Sequence, residues 1–234
     1  MYDNLKHQVY EANMALQRHG LVVFTWGNVS GIDRANGVIA IKPSGVSYQD
    51  LTPQGIVIVA LDGRVLEGDL RPSSDTPTHL ELYGSFTGLG GICHTHSMYA
   101  TMWAQAQREI PCFGTTHADH FYGPVPVTDG LTGEEIDGPY EQNTGKLIVR
   151  RFKGMDPLQM PAVLVANHGP FTWGRTPEDA VDNAIYLEYI ARLASETIRV
   201  DPGAAPMPQE LLDKHYLRKH GPRRYYGQDR PGSR

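Results

Sequence analysis

Residues 176–194 constrain the fold most. Thr176-Pro177-Glu178-Asp179 starts the clearest helix in the chain, and Ala180, Ala184, Leu187, Ala191 and Ala194 mark one stripe along it. The small residues on that stripe permit close approach to a sheet or another helix. The rest of the chain offers such a sheet. Residues 22–25, 38–42, 56–60 and 92–95 read as short strands bounded by turn formers, residues 162–166 as a fully apolar strand, and residues near 125–127 as one more. Asp62-Gly63 between two apolar runs is a hairpin signal.

Other helices fall between these strands. Leu5, Val9, Ala12 and Leu16 repeat with helical period, and His19-Gly20 fits the end of that helix. Thr76-Pro77 predicts a helix running to about Phe86, with Thr as N-cap. Ser97 is expected to cap a helix over 98–107, and Thr132 with Glu135 forms a capping box. Residues 115–120 read as a His-rich loop, 202–208 as a loop and 209–219 as a last helix. Strands and helices intermingle, which predicts a layered α/β domain. Its expected extent is 1–227, with 228–234 a frayed tail.

Composition removes several function classes. Two cysteines in 234 residues exclude a disulfide-dense module. The longest apolar runs fall far short of the roughly 20 residues a membrane helix needs. No basic and apolar leader opens the chain, so a cytoplasmic home is expected. A net charge of -5 argues against broad nucleic-acid binding.

Ten histidines point to chemistry. His94 and His96 lie two apart at the end of a predicted strand, so both imidazoles share a face. His168 follows a second apolar strand. Three neutral imidazoles leaving a coordination position free is the arrangement of a catalytic zinc site. Cys93 alternates to the opposite face and is a poorer ligand. Asp75 is either a helix cap or a carboxylate ligand, and His79 a surface or supporting residue. Three stretches suit an anion: Lys42-Pro43-Ser44-Gly45, Arg71-Pro72-Ser73-Ser74-Asp75 and Gly27-Asn28-Val29-Ser30. Each taken alone is ordinary turn chemistry. Asp119 is a candidate acid or base if burial and a neighbouring histidine tune it. The Tyr225-Tyr226 pair offers a phenol.

At this level of detail the chain resembles the class II aldolase/adducin family. The motifs are Thr25-Trp26-Gly27-Asn28-Val29-Ser30, Lys42-Pro43-Ser44-Gly45-Val46, Pro72-Ser73-Ser74-Asp75-Thr76-Pro77-Thr78-His79, His94-Thr95-His96-Ser97, Gly114-Thr115-Thr116-His117-Ala118-Asp119, His168-Gly169-Pro170-Phe171 and the segment from Leu211 to Gly221. Ser-Ser-Asp, Thr-His-Ala-Asp and the C-terminal His-Tyr segment point to its pentulose-phosphate 4-epimerase branch. The resemblance implies a three-layer α/β/α sandwich around a mostly antiparallel sheet, and a homotetramer with active sites between subunits. It implies zinc on His94, His96 and His168 with Asp75 near or on the metal. It implies substrate held by Gly27, Asn28, Lys42, Ser44, Gly45, Ser73 and Ser74. Asp119 and Tyr226 become the proton-transfer pair, Tyr226 reaching in from a neighbour, with Thr115, Glu141 and His215 in support. His120 departs from the pattern, which has an aromatic residue such as Tyr there.

The implied reaction interconverts L-ribulose 5-phosphate and D-xylulose 5-phosphate, a step of pentose catabolism on an arabinose-type or ascorbate route. The inverted carbon has no acidic hydrogen. Breaking and remaking the adjacent C–C bond is therefore the accessible path, with the metal stabilising an enediolate. Two rivals share parts of this pattern. One is an aldolase cleaving a sugar 1-phosphate such as L-fuculose 1-phosphate, a branch that resembles this chain but carries Glu where Asp75 stands. The other is a non-catalytic adducin-like binding domain, expected to lack the metal ligands.

Overall fold

The structure is a computed structural model that describes residues 2–226. The expected tail at 228–234 lies outside the described residues. In chain order the elements are α1 (Asp3–Arg18), β1 (Asn28–Asp33), β2 (Val38–Ile41), β3 (Val57–Ala60), β4 (Val65–Glu67), α2 (Thr76–Ser85), β5 (Gly91–His94), α3 (Met98–Gln105), α4 (Thr115–Ala118), α5 (Gly133–Asp137), α6 (Tyr140–Arg151), β6 (Ala162–Leu164), β7 (Pro170–Gly174), α7 (Pro177–Val200) and α8 (Gln209–His220). A short 3-10 turn covers Pro53–Gly55.

The strands form one sheet in the order β4-β3-β2-β1-β5-β7-β6, and every pairing within it is antiparallel. Alternation divides its faces. Val29, Val38, Ala40, Ile58 and Cys93 face α1 and the first half of α7. Ile39, Ile41, Val57, Val59, Ile92, Phe171 and Trp173 face the other way, into the main core with Leu82 and Tyr83 of α2 and Leu147 and Ile148 of α6. Helices cover both faces, which gives the expected three-layer α/β/α sandwich. The small stripe of α7 is buried throughout, and Thr172 of β7 donates to the Ala180 carbonyl at 2.8 Å. Close approach here needs small groups: a Cβ on Gly174 would sit 2.3 Å from Asp179 Cβ. Among the described residues no helix is long and apolar enough to cross a membrane.

The structure departs from the sequence reading in specific places. Residues 22–25 form a turn with Phe24 at φ 54°, and the strand begins only at Asn28. The β-branched run is therefore a loop, and the polar Gly27-Asn28-Val29-Ser30 stretch largely supplies β1. Residues near 125–127 make isolated bridges to Ile110 and Leu164 and no strand. Asp75, not Thr76, occupies the cap position of α2, and Thr76 Oγ1 instead donates to the Ser73 carbonyl. Ser97 precedes α3 without a side-chain cap bond. Residues 115–118 are a short helix, and α6 and β7 are elements the periodicity did not reveal. The capping box at Thr132 and Glu135 is present as expected.

Candidate metal centre and active site

The centre forms at one end of the sheet. Asn28 opens β1 directly opposite His94, the last residue of β5. His96 follows just beyond that strand. His168 sits in the β6–β7 hairpin, where Asn167 takes a left-handed φ of 60° and Val165 N–H bonds the Gly169 carbonyl. Antiparallel pairing thus delivers three imidazoles from distant sequence to one place. Their ring centroids lie 4.7 to 5.1 Å apart, and one nitrogen from each falls within 4.8 Å of the others.

The donor set suits a divalent metal. His94 Nδ1–H donates to the Pro170 carbonyl at 2.9 Å, which leaves Nε2 as a lone-pair donor in the neutral ring. That Nε2 lies 3.0 Å from His96 Nε2. His168 Nδ1 is buried without a protein partner, a cost that a ligand there removes. Burial, then the neighbouring His94 and His96, pushes His168 down to about 4, and burial likewise lowers His96. His96 and His168 are therefore neutral near pH 7, the form that binds metal. Phe171 stacks on His94 at 4.2 Å and 18°, fixing the ring plane.

The trio opens into a cavity of about 540 Å³. Gly27, Asn28, Lys42, Ser44, Gly45, Ser73, Ser74, Asp75 and Glu141 all line it, so three separate turn-like stretches converge on one space. Gly27 has φ +80°, and a Cβ there would meet Val22 at 2.8 Å and the His94 carbonyl at 3.1 Å. Lys42 is buried, donates to the Thr25 carbonyl at 3.2 Å, and is pushed down to about 8 by burial. Together with the hydroxyls of Ser44, Ser73 and Ser74 it forms a cradle with the chemistry an anion requires.

Asp75 accepts from Asn28 Nδ2 at 2.7 Å. Burial alone raises its carboxyl, but His94, His79 and the Asn28 bond more than offset this and hold it below the usual range. The three histidines form the converging group of nitrogens, and Asp75 lines the same cavity beside them. His79 is not at the surface. It is fully buried, hydrogen-bonded through Nδ1 to Ser30 Oγ at 2.7 Å, with Ser30 in turn 2.9 Å from the Tyr83 hydroxyl.

Asp119, Thr115, His215 and Tyr226 gather elsewhere, and none of them lines this cavity. Asp119 ends α4 and accepts from His215 Nδ1 and Arg218 Nη2, each at 3.0 Å, with Lys219 Nζ at 3.3 Å. Burial raises Asp119, yet Arg218, His215 and Lys219 hold its carboxyl below the usual range. The Tyr226 ring lies 4.6 Å from the Arg218 guanidinium. Sequence reading singled out neither Tyr140, which lines the cavity, nor the Arg218 link. Tyr140 starts a helix whose apolar period was not recognised, and Arg218 was lost in a run of charges.

Relatives place the chain in a family. The Class II Aldolase and Adducin N-terminal domain family matches residues 7–195. L-ribulose-5-phosphate 4-epimerase UlaF of Salmonella paratyphi A is 53% identical over 224 residues, covering 96% of this chain and 98% of the relative, and the protein of that name from Salmonella typhi matches equally. A solved L-fuculose 1-phosphate aldolase superposes with a TM-score of 0.76 at 25% identity, over 91% of this chain and 94% of that one. The L-fuculose-1-phosphate aldolase of Thermus thermophilus shares the fold with a TM-score of 0.67 at 23% identity, over 88% and 100%. A family match over most of the chain and 53% identity along nearly its whole length establish the kinship: the chain belongs to the class II aldolase and adducin family.

Proposed function

We propose that this chain is an L-ribulose-5-phosphate 4-epimerase, an isomerase that cleaves and rebuilds a C–C bond in a phosphorylated pentulose. The observation that carries the reading is the single cavity holding both the histidine trio and the buried Lys42 cradle. Such a cavity takes a substrate with an oxygen-rich carbon chain at one end and a phosphate at the other. The high identity to an epimerase along nearly the whole chain selects the reaction among those the fold hosts.

His94, His96 and His168 would hold zinc, with Asp75 beside or on it. Bound there, zinc supplies a Lewis acid for the negative charge that develops when the C3–C4 bond breaks. Lys42, Ser44, Gly45, Ser73 and Ser74 hold the phosphate and so retain the aldehyde fragment while its carbonyl turns over. Gly27 and Asn28 shape the floor. Asp119 and Tyr226 move the proton on the C4 oxygen from opposite faces, and Thr115, His215 and Glu141 position them and the substrate. Because Asp119 and Tyr226 cluster about Arg218 and away from the cavity of their own chain, we assign both to the site of a neighbouring copy. A homotetramer with sites between subunits satisfies this, working on soluble sugar phosphates in the cytoplasm.

The aldolase reading has one observation in its favour, the fold shared with L-fuculose 1-phosphate aldolase. Product analysis separates the two. Zinc-loaded protein given L-ribulose 5-phosphate should yield D-xylulose 5-phosphate without accumulating free glycolaldehyde phosphate. Release of dihydroxyacetone phosphate from L-fuculose 1-phosphate, with no epimer formed from the pentulose, would establish the aldolase instead.

A further inference from the structure

One wall of the cavity is a side chain to which the proposed reaction gives no part. Tyr140 is the first residue of α6, about one-third exposed, and it lines the cavity together with Glu141. Its ring lies 6.4 Å from that of His168, tilted by 42°. It therefore stands at the histidine end of the space.

Its position is fixed from behind. Thr78 of α2 donates to the Glu141 carbonyl, and Gly145 lets α6 settle onto α2, where a Cβ would lie 2.7 Å from Glu81 Cβ. Ser73, Ser74 and the cap residue Asp75 lead directly into α2, so the phosphate cradle and the Tyr140 wall belong to one packed unit. The Tyr140 phenol hydroxyl carries a proton to donate.

We propose that Tyr140 is a substrate-contacting residue: its ring walls the cavity beside His168, and its hydroxyl donates a hydrogen bond to an oxygen of the ketose carbon chain. The role rests on the reading of the site as one for phosphorylated ketoses. It explains how the non-phosphorylated fragment stays in register while its partner turns. The fragment has no phosphate for the cradle to grip, and a donor on a rigid helix start adds a second hold beside the one zinc would supply.

The test is calorimetric binding to zinc-loaded protein, with dihydroxyacetone phosphate and inorganic phosphate as separate probes. Tyr140→Phe keeps the wall and removes the donor. It should weaken dihydroxyacetone phosphate about five- to tenfold, as loss of one hydrogen bond predicts, and leave inorganic phosphate unchanged. Equal affinity of Tyr140→Phe and wild type for dihydroxyacetone phosphate overturns the proposal. So does a parallel loss for both probes, which would reveal a disturbed cavity in place of a lost donor. Turnover of L-ribulose 5-phosphate by the wild type is read separately. Its absence would remove the epimerase assignment while the binding comparison still decides the role of Tyr140.

Discussion

Two clusters of titratable groups sit in this chain, and they are built on opposite principles. In the cluster of His94, His96 and His168, burial lowers His96 and His168, so those two rings stay neutral and offer lone pairs. Around Asp119, Arg218, His215 and Lys219 overcome burial and keep a carboxylate charged. The first is framed by strand ends with backbone hydrogen bonds behind it. The second joins a four-residue helix to the last helix through side chains of that last helix, which reach the Asp119 carboxylate and, from His220, the Asp119 carbonyl. A rigid frame suits fixed ligand geometry, whereas a side-chain network on peripheral elements suits a group that must meet a surface from another copy.

The largest effects should come from breaking one cluster at a time. His96→Asn should lose metal and lower turnover more than about 10³-fold. Asp119→Asn should keep metal and fold and slow turnover about 10²- to 10⁴-fold. The comparison sharpens when the two dead variants are mixed and reassembled. If each site takes its metal from one copy and Asp119 from another, mixed oligomers contain intact sites and activity returns. Mixtures as inactive as their components would place both clusters in one chain's site.

How legible this was in the sequence differs between the two clusters. Strand-end histidines and the stretches at 27–30, 42–45 and 71–75 could be read because each carried its own local chemistry and the resemblance joined them. That Asn28 pairs opposite His94 was not legible, since the β1 segment lacks the β-branched pattern of a strand and residues 22–25 mimic one. Tyr140 was missed because α6 buries only Thr144, Gly145, Leu147 and Ile148, a stripe too mixed to announce a helix. Nothing local to Asp119 reveals Arg218, which lies 99 residues away in a run rich in charge.

The neutral histidines also set an acid limit on the fold. His117 beside the Asp119 cluster is buried, donates through Nε2 to the Gly123 carbonyl at 2.8 Å, and is pushed down to about 4 by that burial. The unfolded chain binds a proton near pH 6.5 that the folded chain refuses until about pH 4. Stability is therefore full above the upper value and falls as pH drops through that window, by on the order of 3 kcal/mol for this group. Denaturant midpoints measured from about pH 7 to about pH 4 should decline, and His117→Gln should flatten the slope. An unchanged slope in that variant would show that His117 is not the group responsible.

Lys42 tests the anion end of the first cluster. Its ammonium is buried, and desolvation has no charged neighbour to offset it. Bound phosphate would supply that neighbour. Lys42→Met should raise the KM for L-ribulose 5-phosphate about tenfold or more, the worth of a charge-assisted hydrogen bond, with metal content unchanged. A normal KM would move the phosphate away from this cradle.

The smallest effect should come at His120, where the family resemblance calls for an aromatic residue such as Tyr. The imidazole stacks on Tyr186 of α7 with centroids 3.6 Å apart and planes 22° from parallel. Burial, aided by Lys219, pushes it down to about 4 against the pull of Asp119, so at neutral pH it is an uncharged flat ring. It therefore serves as an aromatic surface while contributing no charge to the carboxylate beside it. His120→Tyr should keep the stack, change stability by less than about 1.5 kcal/mol and leave the pH profile of turnover in place. A displaced acidic limb in that profile would mean that the imidazole tunes Asp119 after all, and the contrast between a stripped cluster and a charged one would then lose its sharp boundary at residue 120.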